Sequence, residues 1–198
     1  MRSHLLCAVL LLAPMLAGCV RTLQPVLKDD QVAPIDKSLL GKWVSAAGDE
    51  SVDVQLSDKD GTYSALYTDK DGKKGTLLIR MGKVGDLTLA ELTPDDPAPS
   101  ASAIVKYHLV PVYSFLVVRQ TGPQFVFATM GEDWLKKYLD QHPNELQTVS
   151  RDNSVIVSSA TADIQAFLVR HQKDEGALNE ASFVRAGDPT TQPAAPPR

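Results

Sequence analysis

The strongest constraint in this sequence is an alternation of apolar and polar residues that repeats between Asp-Gly turns. Residues 51–57 alternate strictly, so that one face of the segment is apolar and the other polar. The segments Asp58–Gly61 and Asp69–Gly72 both end in Asp-Gly, and a further predicted strand follows each: 62–68, where Tyr63, Ala65 and Tyr67 share a face, and 76–81. A period of two between Asp-Gly turns is typical of β-hairpins. This part of the chain therefore predicts consecutive antiparallel strands.

Further strands and two helices complete the predicted fold. The remaining predicted strands are residues 87–92, 104–110, 112–119, 124–129, 155–158 and 182–185. Apolar residues follow helical spacing from Gly131 to His142, and again from Thr161 to Gly176. We therefore expect an α+β fold, with two helices in the C-terminal half packed on a curved antiparallel sheet. The sheet is predicted to be a meander of six to eight strands that forms a half-barrel or barrel.

The segments that flank this region differ from it in composition. We expect a single globular domain over residues 38–185. Residues 19–37 have two prolines and little periodicity, which predicts an extended tether. Residues 186–198 contain four prolines among Ala and Thr, which predicts a disordered tail.

The beginning of the chain has the pattern of a secretory signal peptide over residues 1–18. Arg2 precedes an apolar run that is too short to span a bilayer, for which about 20 apolar residues are needed. The sequence Leu16-Ala17-Gly18-Cys19 resembles the lipobox of bacterial lipoproteins. That resemblance implies cleavage before Cys19, and a diacylglycerol and an N-linked acyl chain, such as palmitate, on this residue.

The expected location is the periplasmic face of the outer membrane. Val20 follows the anchor, and in lipoproteins of enteric-type bacteria the absence of Asp at this position implies the outer membrane. The net charge of the whole chain is −4, and no cluster of Lys and Arg is present. We therefore expect no binding of nucleic acid, and attachment to the membrane through the lipid rather than through a basic surface.

Cysteine and histidine usage excludes several kinds of site. The two cysteines are Cys7, in the signal segment, and Cys19, so the domain has no thiol for catalysis or for an iron–sulfur cluster. His108, His142 and His171 lie in separate predicted elements without the spacing of metal ligands. The Asp-Gly turns lack the glutamate that an EF-hand has six residues after its glycine. No common catalytic motif is present either, so we expect no enzyme, no metal and no cofactor beyond the covalent lipid.

One internal motif, Gly41-Lys42-Trp43, resembles the Gly-x-Trp with which lipocalins open their first strand. The resemblance implies that Trp43 closes the bottom of a barrel that can hold an apolar ligand. Aromatic residues on the predicted strands would then line the pocket, although they could equally form an ordinary core. These candidates are Trp43, Tyr63, Tyr67, Tyr113, Phe115, Phe125 and Phe127.

Two function hypotheses follow. Residues 133–139 and 160–168 resemble an uncharacterised family of small exported bacterial lipoproteins, and this resemblance implies no known activity. The first hypothesis is a non-enzymatic role in binding or envelope assembly, with an envelope protein or another envelope component as partner. The alternative is a lipocalin-like carrier of an apolar small molecule. An apolar cavity of a few hundred Å³ inside the sheet would favour the carrier.

Overall fold

The computed structural model describes residues 19–96, 98, 100–151 and 154–187. The strands within these residues are β1 (Arg21–Thr22), β2 (Gly41–Ser45), β3 (Ser51–Leu56), β4 (Thr62–Thr68), β5 (Lys74–Val84), β6 (Leu87–Pro94), β7 (Tyr113–Gln120), β8 (Gln124–Met130), β9 (Thr148–Arg151), β10 (Ser154–Val157) and β11 (Leu178–Arg185). The α-helices there are α1 (Ala103–Tyr107), α2 (Glu132–Gln141) and α3 (Thr161–His171). The predicted signal segment 1–18 and all but the first two residues of the predicted tail lie outside the described residues.

Eight of these strands form a closed antiparallel barrel. Strands β2 to β8 pair in chain order, and β11 closes the barrel because it pairs with both β8 and β2. At this closure Phe183 of β11 faces Phe125 on one side and Ser45 on the other. The predicted fold class, a curved antiparallel sheet with two helices in the C-terminal half, is confirmed.

Three short strands extend the sheet at the beginning of β7. Strand β1 pairs antiparallel with β7, where Thr22 faces Tyr113. On its other side β1 pairs parallel with β10, which in turn pairs with β9. The residues immediately after Cys19 therefore belong to the same sheet as the barrel and pair with β7.

The alternation along the strands divides the apolar core into two layers. On β7, Leu116 lies inside the barrel, whereas its neighbours Phe115 and Val117 belong to a layer on the outer surface. Helices α2 and α3 cover this outer layer, with Leu135 and Phe167 buried against it. Because these two helices pack outside, the inside of the barrel is lined by the strands and by the segment before β2.

One predicted strand is wrong. Residues 104–110 form helix α1 and the loop after it, not a strand, and His108 therefore lies after a helix rather than on a strand face. The amide of Lys106 donates to the carbonyl of Ser102, 3.0 Å away, and its amine donates to the carboxylate of Asp96 at 2.6 Å. A short apolar run does not distinguish a strand from a helix by its periodicity, which is why the sequence was misleading here.

Residues 19–37 are also not the extended tether that the sequence predicts. They pack on the outside of the barrel, where Val20, Val26 and Leu27 are no more than 4% exposed. Gly82 of β5 makes the close packing possible, because a Cβ at this position would collide with the backbone of Gln31 and the side chain of Leu27. An irregular segment can be buried without any periodicity, so its lack of periodicity did not show that it was exposed.

A buried ion pair holds this segment in place. Glu91 of β6, whose side chain is 2% exposed, accepts hydrogen bonds from the amides of Val26 and Leu27. Arg80 of β5 binds the same carboxylate at 2.5 Å and also contacts the carboxylate of Asp29. In a helix or a sheet, the backbone amides of this segment would bond to backbone carbonyls. Here a side chain on the barrel surface accepts their hydrogen bonds instead.

Candidate functional site

The barrel encloses an apolar cavity of about 100 Å³. Its lining consists of aliphatic and aromatic residues from β2 to β8, β11 and the segment before β2. They are Leu39, Trp43, Val52, Val54, Tyr63, Tyr67, Leu77, Ile79, Met81, Ala90, Leu92, Leu116, Phe125, Phe127 and Phe183. A dry cavity with such walls accommodates apolar groups and excludes ions.

The structure brings some of the predicted pocket residues together and not others. Those on the cavity wall are Trp43, Tyr63, Tyr67, Phe125 and Phe127. Phe115 lies in the outer layer instead, and Tyr113, at the start of β7, does not line the cavity. The prediction considered only aromatic residues and so missed the nine non-aromatic residues of the wall, although the alternation of Leu77, Ile79 and Met81 could have indicated some of them; it also missed Phe183.

One end of the cavity is closed by the segment that precedes β2. Leu39 and Trp43 are buried there, and the indole Nε1 of Trp43 donates to the carbonyl of Leu39 at 2.9 Å. The hydroxyl of Tyr63 accepts a hydrogen bond from the Asp36 amide at 2.7 Å and donates to the Asp36 carbonyl at 3.3 Å. Burial raises the pKa of Tyr63. These polar atoms are satisfied within the chain and present no unpaired group to the cavity.

Arg185 contacts the same closed end from outside the barrel. Its guanidinium lies 4.4 Å from the ring centre of Trp43 and donates to the carbonyls of Leu40, at 3.1 Å, and Ser38. Gly41 has a φ of 110°, and a Cβ there would lie 3.3 Å from the guanidinium. The Gly-x-Trp motif thus combines a residue that leaves room for Arg185 with a residue on which Arg185 stacks.

We expect Arg185→Ala to lower the free energy of unfolding by about 1–3 kcal/mol, because it removes a cation–π contact and two charge-assisted hydrogen bonds. Urea denaturation measures the change. Arg119→Ala is the matched control, since Arg119 has only a 4.0 Å contact with Glu180, and its expected effect is below about 0.5 kcal/mol. Equal effects of the two substitutions would contradict this role of Arg185.

The opposite end of the cavity is open. The wall residues Val52, Tyr67 and Leu77, beside the turns at 46–50 and 69–73, are only half-buried. The hydroxyl of Tyr67 donates to a carboxylate oxygen of Glu50 at 2.7 Å. Burial raises the pKa of Tyr67 far above its usual value, and the hydrogen bond to Glu50 and the nearby negative charges raise it further. A tyrosine hydroxyl in this position stays neutral at any physiological pH.

The other residues considered as ligands do not form a site with one another. His171 is buried, with Nδ1 2.6 Å from a carboxylate oxygen of Asp174, whereas His142 stacks on Tyr138 at 4.3 Å. Asp69 accepts hydrogen bonds from two amides of its own hairpin, as a turn residue does. In the part of the chain that the structure describes, no three His, Cys, Asp or Glu side chains are placed to hold a metal ion.

Cys19 lies at the edge of the barrel wall. Its backbone forms an isolated antiparallel bridge with Gly131, directly after β8, and its side chain is half-buried. Burial raises the pKa of the thiol, and a hydrogen bond with Thr129 offsets part of the rise. None of the helices in the described part of the chain combines the length and the apolar character needed to cross a bilayer.

Comparison of the chain with protein-family models, with curated proteins and with solved structures finds no match.

Proposed function

We propose that this protein is a non-enzymatic binder that holds a small apolar ligand, or the apolar chain of an amphiphile, inside its barrel. The observation that carries the proposal is the cavity, whose walls are apolar and aromatic from one end to the other. The closed end supports it, since the buried side chains of Leu39 and Trp43 close the cavity there. The hydrogen bonds of Tyr63 and Trp43 within the chain support it too, because they leave an apolar interior.

The volume of the cavity limits the ligand to a slender one. About 100 Å³ is less than the few hundred Å³ that accommodate a drug-sized molecule. An apolar cavity of about 150 Å³, however, is known to bind benzene. A single alkyl chain that enters through the open end, with its polar end at the surface, is the ligand shape that fits best.

Titration with octanol tests the proposal, because its chain is apolar and its hydroxyl uncharged. The two tryptophans lie in different places, Trp43 on the cavity wall and Trp134 beside the outer layer. In a Trp134→Phe background, octanol should change the emission of Trp43 in a saturable way. A signal that stays flat, or rises linearly to the solubility limit of octanol, would contradict binding in the barrel.

We also propose that Cys19 carries the lipid anchor that its lipobox implies, and that the protein is held at the periplasmic face of the outer membrane. Because Val20 and the residues after it pack directly on the barrel, the anchored barrel would lie against the bilayer rather than at the end of a tether. A ligand chain would then have a short path between the membrane and the cavity.

Cys19→Ser should abolish incorporation of labelled palmitate and release the protein into the soluble fraction of disrupted cells, because the acyl chains on Cys19 account for the proposed membrane attachment. Cys7→Ser is the matched control, since Cys7 lies in the segment that the proposed cleavage before Cys19 would remove. Fractionation with acyl labelling measures both variants. Cys19→Ser protein that stays labelled and membrane-bound would contradict the anchor.

An envelope protein as partner is the second candidate function. The loop between β6 and β7 favours it, because it exposes four large apolar side chains. They are Ile104, Val105, Leu109 and Val110, each at least 40% exposed. A photoreactive residue in place of Val110 should then crosslink to one recurring envelope protein. Crosslinks to lipid alone, or none, would contradict a protein partner at this loop.

A further inference from the structure

We propose that the barrel selects its ligand by the length of the linear apolar group, and that the side chain of Leu39 sets the limit. The inference rests on the proposed function, because it needs a chain that enters the cavity. It adds how much of that chain the cavity accepts. It also assigns this selectivity to one residue of the segment that closes the cavity before β2.

The volume of the cavity determines how many carbon atoms it holds. An apolar cavity of about 150 Å³ binds benzene, which implies about 25 Å³ for each carbon. At about 100 Å³, the cavity of this barrel therefore holds about four carbons of a linear chain. A group of that length can be buried completely, whereas a longer chain leaves its remaining carbons outside the cavity.

A length limit requires a closed end that does not yield to the ligand, and hydrogen bonds hold the segment before β2 in place. The segment contains one turn of 3₁₀-helix, Lys37–Leu39. The carboxylate of Asp36 accepts a hydrogen bond from the Ser38 amide at 2.8 Å, and the Asp36 carbonyl accepts one from the Leu39 amide at 3.1 Å. The hydroxyl of Tyr63, on β4, binds both the amide and the carbonyl of Asp36. The turn is therefore fixed to the barrel at its first residue.

Arg185 holds the other end of the same turn. Its guanidinium donates to the carbonyls of Ser38 and Leu40, the residues on either side of Leu39. It also stacks on Trp43, 4.4 Å from the ring centre. A chain that reaches Leu39 therefore cannot displace the turn without breaking charge-assisted hydrogen bonds, which are stronger than those between neutral groups.

The side chain of Leu39 can be shortened without removing any of these hydrogen bonds. Leu39 contributes only backbone atoms to them: its amide donates to Asp36, and its carbonyl accepts from the indole of Trp43 at 2.9 Å. Its side chain is 8% exposed and is part of the cavity wall. A smaller residue at this position should therefore lengthen the cavity while the closing turn stays in place.

The linear alcohols from ethanol to decanol test the limit, each below its solubility limit. Trp43 emission in the Trp134→Phe background measures their affinities. We expect the affinity to rise about fourfold with each added methylene, as for complete burial, up to about pentanol. Beyond that length each methylene should add less than about 1.5-fold, because it stays outside the cavity. We call the chain length at which the affinity stops rising the break.

Leu39→Ala should move the break to longer alcohols by about two to three carbons, because it removes that much side chain from the closed end. Leu39→Val is the milder variant, and its expected shift is about one carbon. Leu89→Ala and Leu89→Val are the matched controls, since Leu89 of β6 is 0% exposed but belongs to the outer layer. The break should stay at about pentanol in both controls, and thermal unfolding checks that each variant is folded.

The results separate the length limit from the proposed function. An affinity that rises about fourfold per methylene through the whole series would overturn the limit and leave the proposed function standing. A break that folded Leu39 variants leave in place, or that the Leu89 variants move as far, would overturn the role of Leu39. If no alcohol bound in a saturable way, both the limit and the proposed function would be wrong.

Discussion

Glu91→Ala is expected to lower the free energy of unfolding by about 3–5 kcal/mol, the usual cost of removing one partner from a buried ion pair. The substitution leaves the amides of Val26 and Leu27 without their acceptor and Arg80 without its buried partner. Each unsatisfied buried group carries its own desolvation cost. We also expect residues 23–31 to become accessible to protease, because Glu91 holds this segment on the barrel.

Urea denaturation and limited proteolysis measure the effect. The matched control is Asp29→Ala, which removes the other carboxylate of Arg80, one whose side chain is 98% exposed. Its expected effect is below about 1 kcal/mol, as for surface ion pairs. Equal stability of the two alanine variants would contradict the role of Glu91 in holding the segment after Cys19.

Ala90→Leu is expected to remove most of the affinity for octanol while the protein stays folded. Ala90 of β6 is 1% exposed and lies on the cavity wall, so a leucine would occupy space that the ligand chain needs. Loss of burial for two or three methylenes, at about 0.8 kcal/mol each, weakens binding by about 10- to 50-fold. Titration of Trp43 emission measures the loss, and thermal unfolding checks the fold.

Gln55→Leu is the matched control, because it adds the same side chain to the exposed outer face of β3. Octanol affinity should be unchanged in this variant. If Ala90→Leu bound octanol as well as the unsubstituted protein, the alcohol would have to bind outside the barrel, and the cavity would not be the site.

The barrel could be predicted because residues 51–57 alternate strictly, apolar residues share a face on the next strand, and the turns have their own signatures. Residues 51–57 and the Asp-Gly turns indicated hairpins, and hairpins of short curved strands are compatible with few architectures. The closure itself could not be predicted, since it depends on β11 meeting β2 across most of the chain. No local pattern encodes a pairing of that kind.

The errors arose where burial does not depend on periodicity. The segment around Val26 and Leu27 has no repeat, and its burial depends on Gly82 and Glu91, which lie more than fifty residues away. Ile104, Val105, Leu109 and Val110 are apolar yet exposed, so the apolar character of this stretch did not indicate burial. In both places the deciding contacts are tertiary.

Only part of the candidate site was predicted, because a list of aromatic residues does not show which of them face the inside of the barrel. Alternation on β8 places Phe125 and Phe127 on one face, and both line the cavity. On β7 the aromatic residue Phe115 faces outward because Leu116 occupies the inner position, and a list of aromatic residues cannot show this.

The most direct test of a ligand inside the barrel uses the methionine methyl groups. Removal of residues 1–18 leaves two methionines: Met81, on the cavity wall, and Met130, in the outer layer beneath the helices. In protein labelled with 13C at these methyls, octanol should shift the Met81 signal, give nuclear Overhauser effects to it, and leave Met130 unchanged. A shift of Met130 alone, or no contact between octanol and Met81 at saturating octanol, would contradict the account.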